Sequence, residues 1–348
     1  MPALRVPVLL QMSPEVARKL AIASLAEPLI YAALAVFGLI MGSFANVLIW
    51  RLPRGEEVVR TPSHCPICGK PVRWYDNIPV LSWLILGGKC RDCRGAISVR
   101  YPLVEAGTML VWLGTYRLAT GAGYELFPAL IIAACAFVLF LVFVIDLETY
   151  LIPDQLVWWG IVLAAALIFS GESPSGGWIS AIIGYFALSL LLVIIGMIGN
   201  AVVFPKTFRE EGGPLVLLAW LWYLATFPIA YPVRHFLGKD NADKDEVLDA
   251  ESATAEQSAM GGGDIKLATF MGLLLGWKLL IAAFAYAVLA GGIVGAGLLV
   301  AKMATGRYKR GLKLQFGPFL ALGCFAAIFW GADLITWYLR FTHIAAAP

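Results

Sequence analysis

Long uninterrupted apolar runs constrain this chain more than any other feature. A helix needs about 20 predominantly apolar residues to cross the hydrocarbon of a bilayer. Such stretches recur at Leu29 to Trp50, Pro102 to Leu118, Phe127 to Ile145, Gln155 to Ser170, Trp178 to Val203 and Phe316 to Leu339. Between Asp264 and Lys302 lie 37 further residues, nearly all apolar, with Lys278 near their middle; they read as a tight hairpin of two short spans. Hydrocarbon cannot hydrogen-bond an exposed backbone, so these runs are helices. The expected fold class is an all-α polytopic membrane protein with about eight transmembrane helices. Composition agrees, with 60% apolar residues, 14% charged residues and a mean hydropathy of +0.80. A net charge of +3 suggests no nucleic-acid partner.

Basic loops set the orientation. Residues 51–101 carry Arg51, Arg54, Arg60, Lys70, Arg73, Lys89, Arg91, Arg94 and Arg100 against four acids, so this loop is expected on the cytoplasmic side. The basic stretch from Lys302 to Lys313 follows suit. Eight spans then leave both termini outside. The first 28 residues hold Arg5, Arg18 and Lys19 without a clean cleavage pattern and read as a mature segment. Residues Pro214 to Tyr231 are apolar and rich in Trp and Tyr. A single crossing there would break the parity, so an interfacial or re-entrant segment is expected. Lys239 to Ser258 is acidic and alanine-rich, and reads as a mobile cytoplasmic linker. The chain thus divides into an N-terminal segment and first span (1–50), a cytoplasmic cysteine loop (51–101), spans two to five (102–203), an insertion and linker (204–260) and a C-terminal portion (261–348).

Two acidic motifs stand at the ends of apolar runs. Asp146 lies in Val-Ile-Asp-Leu-Glu-Thr-Tyr-Leu-Ile-Pro-Asp154, and Asp264 in Gly-Gly-Gly-Asp-Ile-Lys-Leu. Carboxylates at the edge of hydrocarbon are costly and mark function by default. Both fall at the cytoplasmic edge in the eight-span scheme. There they can form a dyad sharing one proton, the arrangement that activates water in aspartic proteolysis. A helix dipole disfavours charge on Asp146 at the end of its span and favours it on Asp264 at the start of the next. Asp146 is therefore expected to hold the shared proton and Asp264 to act as base. The triple glycine gives an extended substrate close access to backbone. Asp154, after Pro153, reads first as an N-cap, with a catalytic role beside Asp146 as the alternative. Lys266 reads as a contact for a substrate acid or lipid phosphate, or as a snorkelling side chain. Glu105 is expected to pair with Arg100 or to help hold a ligand.

The loop supplies Cys65-Pro-Ile-Cys68 and, after 21 residues, Cys90-Arg-Asp-Cys93. Two such pairs read as knuckles giving four thiolates to one structural Zn²⁺. A reducing cytoplasm disfavours the alternative of two disulfides. Cys135 and Cys324, inside apolar runs, read as small buried hydrophobes.

In order along the chain, several stretches resemble the signatures of the type IV prepilin leader peptidase family. They are Gly42-Ser-Phe-Ala-Asn46 through Arg51-Leu-Pro53, Asp76-Asn-Ile-Pro79 through Ser82-Trp83, and Ile97-Ser-Val-Arg100-Tyr-Pro102-Leu-Val-Glu105. The two acidic motifs and Phe316-Gly317-Pro318-Phe319-Leu320 complete the set. The resemblance implies a bifunctional enzyme of the bacterial inner membrane, acting at the cytoplasmic face. It would cut the basic leader from prepilins or type II secretion pseudopilins and N-methylate the new amino terminus with S-adenosylmethionine. Carried over by motif, Asp146 and Asp264 are catalytic and Cys65, Cys68, Cys90 and Cys93 bind zinc. No glycine-rich motif marks a methyl-donor pocket; Asn46, Arg51, Ser82 and Glu105 are the candidates, and Asn46 and Ser82 serve equally as hydrogen-bonding glue between helices. Residues 204–260 depart from the family's short connection. An ion-coupled transporter with a structural zinc loop is the alternative, but it predicts midplane acids and internal repeats, and neither is visible. A zinc-stapled scaffold without catalysis leaves the acid motifs unexplained.

Overall fold

The apolar runs fold as helices, each covering the stretch that its hydropathy marks out. The computed structural model describes residues 14–59, 62–203, 215–236, 261–304 and 315–342. The linker expected at Lys239 to Ser258, most of the basic stretch Lys302 to Lys313, and the extreme N-terminus lie outside these. The helices are α1 (Pro14–Arg51), the short α2 (Leu81–Ile85), α3 (Arg100–Gly121), α4 (Leu126–Thr149), α5 (Asp154–Phe169), α6 (Trp178–Val203), α7 (Leu215–Phe236), α8 (Gly262–Ala304) and α9 (Gly317–Phe341). Among the described residues there is no strand, only two isolated bridges in the cysteine loop.

Five helical stretches are long and apolar enough to cross a membrane: Glu27–Arg54, Leu126–Thr149, Trp178–Ala201, Gly262–Ala304 and Gly317–Phe341. This is a multi-pass membrane protein. The other expected spans are helical but fall short of that standard. α5 is shorter, and α3 carries Arg100, Glu105 and Arg117 along its length. α7 is a 22-residue helix containing Pro228 and Pro232. It also falls short of a crossing helix and packs against α6 and α5.

Two units form. The first comprises Met1–Asn46 with Pro62–Gly114, and the second Val47–Thr61 with Thr115–Pro348. Within the first, α1 and α3 approach closely, since a Cβ on Gly42 would meet the backbone of Glu105 and one on Gly38 the Cα of Met109. Asn46 Nδ2 donates to the carbonyl of Tyr101 at 3.1 Å, so Asn46 does tie two helices together. The indole N–H of Trp83 donates to Ile97 O at 3.0 Å and holds α2 against the cysteine loop.

The second unit is built around α8, which packs on α5, α6 and α9. Inside α8 the backbone leaves helical geometry at Gly276 (φ 67°, ψ 172°), a conformation that disfavours any side chain. Neighbouring contacts give the direction of each arm. Before Gly276, Gly263 lies against Ile152 and Phe270 against Gly160, so this arm runs parallel to α5. After it, Gly291 lies against Phe319, Gly323 against Ala283 and Ala287, and Gly331 against Leu279 and Ala282, so this arm runs antiparallel to α9. Ile152 touches both Gly263 and Gly317, which puts the starts of the first arm and of α9 at one level. The chain therefore turns back at Gly276, as the hairpin reading expects. Gly184 of α6 and Gly272 of the first arm meet backbone to backbone, the close approach that small residues allow between helices in lipid.

Candidate active site and metal centre

The acidic site assembles where α4 ends and α8 and α9 begin. α4 stops because Tyr150 takes a left-handed conformation (φ 60°), and its N–H returns to the carbonyl of Asp146 at 3.0 Å. The same carbonyl accepts a second bond, from Gln315 Nε2 at 2.6 Å. The Asp146 side chain is buried, 5% exposed, with its Oδ2 against Gly317. Asp264 lies in the first turn of α8, behind Gly261, Gly262 and Gly263. The Ile152 side chain packs on Gly263 and on Gly317, so the residues beside Asp264 and beside Asp146 share one neighbour. The two carboxyl groups are close enough to interact electrostatically. The structure thus brings together the two acids that the sequence singles out, which are 118 positions apart.

Two polar expectations change. Asp154 does not cap α5: Pro153 occupies the N-cap position and no side-chain cap bond forms. The Asp154 carboxylate instead accepts from Lys266 Nζ at 2.7 Å, a partly buried ion pair. Lys266 does not snorkel outward; it is buried and its ammonium lies 5.6 Å from the ring centroid of Tyr223 on α7. This pair and the Ile152 contact fasten the start of α8 to the start of α5. Sequence reasoning missed Gln315, Ile152 and Gly317 as parts of the site. The Phe-Gly-Pro-Phe signature directly after Gln315 was the available signal.

The cysteine loop folds as two matching knuckles. In each, the residue after the second cysteine has positive φ, Gly69 at 70° and Arg94 at 59°. Their N–H groups return to Cys65 O (2.8 Å) and Cys90 O (3.0 Å). The N–H of each first cysteine then bonds across the turn, Cys65 to Lys70 O and Cys90 to Gly95 O. This geometry carries Cys65, Cys68, Cys90 and Cys93 together, with all four sulfurs within 4.8 Å of one another and none in a disulfide. A four-thiolate set at this separation fits tetrahedral Zn²⁺. Backbone N–H groups of Cys68 and then Ile67 point at the Cys65 sulfur and lower its pKa to about 7, favouring the ligating thiolate. Asp92 in the second knuckle lies 3.5 Å from both Lys70 and Arg73, next to the first. Arg91 donates to both oxygens of Asp76, at 2.6 to 3.1 Å, and holds that carboxyl below the usual range.

The methyl-donor candidates are each engaged within the protein. Ser82 Oγ donates to Tyr75 O (3.0 Å), and Arg51 donates to the carbonyls of Glu57 and Val58. Glu105 does not pair with Arg100; it accepts the N–H of Val80 at 2.6 Å. Arg100 reaches Asn46 Oδ1 at 3.5 Å. Cys135 and Cys324 are fully buried, as expected of small hydrophobes.

The Bacterial Peptidase A24 N-terminal domain profile matches residues 36–118, and that of the Type IV leader peptidase family matches residues 133–296. A relative from Aeromonas hydrophila is 30% identical over 87% of this chain and 92% of its own length. One from Bacillus subtilis is 30% identical over 88% and 97%, and one from Xanthomonas campestris pv. campestris 29% identical over 90% and 96%. All three carry the name prepilin leader peptidase/N-methyltransferase. No solved structure matches the chain.

Proposed function

Since the chain belongs to the type IV leader peptidase family, we propose that it cleaves the leader from prepilins or pseudopilins at Asp146 and Asp264, and N-methylates the amino terminus so exposed. The juxtaposition of those two acids at the common end of α4, α8 and α9 carries the reading. One carboxylate takes a proton from water, the oxygen attacks the scissile carbonyl, and the protonated partner donates to the carbonyl oxygen. Collapse of the tetrahedral species releases the amine, which takes the proton back. Asp264, at the N-terminal end of α8, is the base; Asp146, in the last turn of α4, holds the proton at the start. A transporter would want its acids near the midplane, and these lie at helix ends.

The protein sits in the bacterial inner membrane, with the acids and the cysteine loop at the cytoplasmic face, where the basic loop 51–101 belongs. Cys65, Cys68, Cys90 and Cys93 would hold Zn²⁺, which supplies a closed structural crosslink and no open coordination position. The methyl group comes from S-adenosylmethionine, with Asn46, Ser82 and Glu105 in the first unit and Arg51 in the second as the side chains to test. Any of them would have to exchange a hydrogen bond to protein for one to the donor.

The test is cleavage of purified prepilin by wild type, Asp146→Ala and Asp264→Ala in lipid nanodiscs. Either single variant should lose cleavage; full activity in one of them refutes the dyad. Labelled methyl donor added with pre-cleaved pilin reads the second activity separately.

A further inference from the structure

The cysteine loop has an apolar face that neither the metal centre nor the acidic site uses. In α2, Leu81, Leu84 and Ile85 have the i, i+3, i+4 spacing of one helix face. All three are open, at 50, 61 and 70% exposure. The other side of α2 is engaged, with Ser82 bonded to Tyr75 O and Trp83 to Ile97 O. The 3-10 turn Trp74–Asn77 packs against α2, and Trp74, 81% exposed, extends the patch. Four open large hydrophobes on so small a loop call for a partner.

The hydrogen bonds say where this face lies. Val80, immediately before α2, has φ 59° and ψ −49°, a region that a β-branched residue rarely enters. A three-residue turn, Leu81 N–H to Pro79 O at 2.5 Å, imposes it. What retains this strained turn is the bond from Val80 N–H to buried Glu105. Glu105 sits five residues into α3, roughly 7 Å along its axis at 1.5 Å per residue. There it packs against Gly42 of α1, inside the apolar stretch Glu27–Arg54. The loop is thus tied by Val80 and Glu105 alongside α1, within a stretch long and apolar enough to cross the membrane, where an open apolar face adjoins lipid.

Charge selects among occupants. Exposed Lys89 and Arg94 follow α2, and Arg73 precedes the 3-10 turn. Basic side chains flanking Trp and Leu suit lipid phosphates over acyl chains, whereas they repel a basic leader peptide. We propose that Trp74, Leu81, Leu84 and Ile85 form a membrane-interface anchor. It lies in the lipid leaflet and holds the cysteine loop against the bilayer surface.

The full chain in phosphatidylcholine–phosphatidylglycerol nanodiscs, with Leu84→p-benzoylphenylalanine, tests this by photocrosslinking and mass spectrometry, with and without prepilin. Ile182→p-benzoylphenylalanine on α6 serves as the lipid-facing control, and thermal unfolding checks that each variant is folded. Phospholipid adducts at position 84, in yield comparable to position 182, are expected. Adducts on prepilin or on this chain itself, or no adduct while position 182 labels lipid, would overturn the anchor. Independently, Leu81→Asn, Leu84→Asn and Ile85→Asn combined should expose the Lys89 bond to trypsin at least tenfold faster in nanodiscs. An unchanged rate there counts equally against it.

Discussion

Gly317 stands against the carboxylate of Asp146 with no room for even a methyl group between them. Beside it, Gln315 ties down the carbonyl of the same aspartate at 2.6 Å. The start of α9 therefore shapes both the side chain and the backbone of one acid. Gly317→Ala should displace Asp146. A misplacement of about 1 Å at a reacting group costs on the order of 100-fold in rate, so prepilin cleavage should fall by that order. Methylation of a pre-cleaved pilin should change little, which separates this effect from general unfolding. Equal loss of both activities would show that Gly317 serves the fold alone.

The ion pair between Lys266 and Asp154 links α8 to α5 two residues beyond Asp264. Removing Lys266 from this partly buried pair leaves the Asp154 carboxylate uncompensated, with only partial access to water. Lys266→Met is expected to destabilise the protein by about 1.5–3 kcal/mol, the range for hydrogen bonds to charged groups. Asp154→Leu with Lys266→Met should recover most of that loss, because both charges are then gone. Thermal unfolding of the two single variants and the double variant in nanodiscs measures the coupling. Additive losses would mean that the pair contributes nothing as a pair.

Acid should loosen the cysteine loop through two kinds of group. Thiolates, not thiols, bind zinc, and Cys65 has a pKa near 7. Cys93, by contrast, is pushed up to about 11 and must give up its proton to the metal at any pH near neutral. Apparent zinc affinity should therefore fall with every unit of falling pH, and most steeply below about 7, where Cys65 also takes a proton. Competition with a chromogenic chelator across pH 5.5–8, a window chosen around that value, reads this. The carboxyl of Asp76, held low by Arg91, acts at lower pH. Its pairing stabilises the loop above the ordinary carboxylate range and is lost as pH falls through its depressed value. Asp76→Asn should abolish that second, more acidic transition and leave the zinc-linked one in place.

The two knuckles differ at one position of equivalent geometry. Gly69 takes its positive φ at no cost, whereas Arg94 has a side chain at φ 59°. A left-handed conformation costs a non-glycine residue about 1–2 kcal/mol. Arg94→Gly is expected to stabilise the zinc-loaded loop by up to about 1 kcal/mol, after the extra chain entropy that glycine brings. Gly69→Ala should destabilise it by a similar amount. Zinc retention under a denaturant series, for both variants, provides the comparison.

Hydropathy alone located every helix that builds the acidic site, because a lipid-exposed backbone has no alternative to the helix. The cysteine pairs announced their cluster through spacing, and the knuckle bonds explain why that spacing suffices. Asp146 and Asp264 were legible as acids in the wrong solvent. The partner of Lys266 was not legible, since nothing local reveals that residue 154 meets residue 266; only the side-by-side packing of α5 and α8 does. Gln315 and Gly317 were hidden for the same reason. The bond that diverts Glu105 from Arg100 to Val80 depends on a strained turn that no propensity favours.

The reversal at Gly276 makes the first arm of α8 a ruler. Its far end is fixed by a conformation only glycine enters readily, and its near end presents Asp264. One residue inserted between them would swing that acid by roughly 100° and lift it about 1.5 Å. The spacing from Asp264 to Gly276 is thus as much a part of the proposed dyad as the carboxylates are, and length changes in this enzyme should be tolerated on the far side of the bend before they are tolerated here.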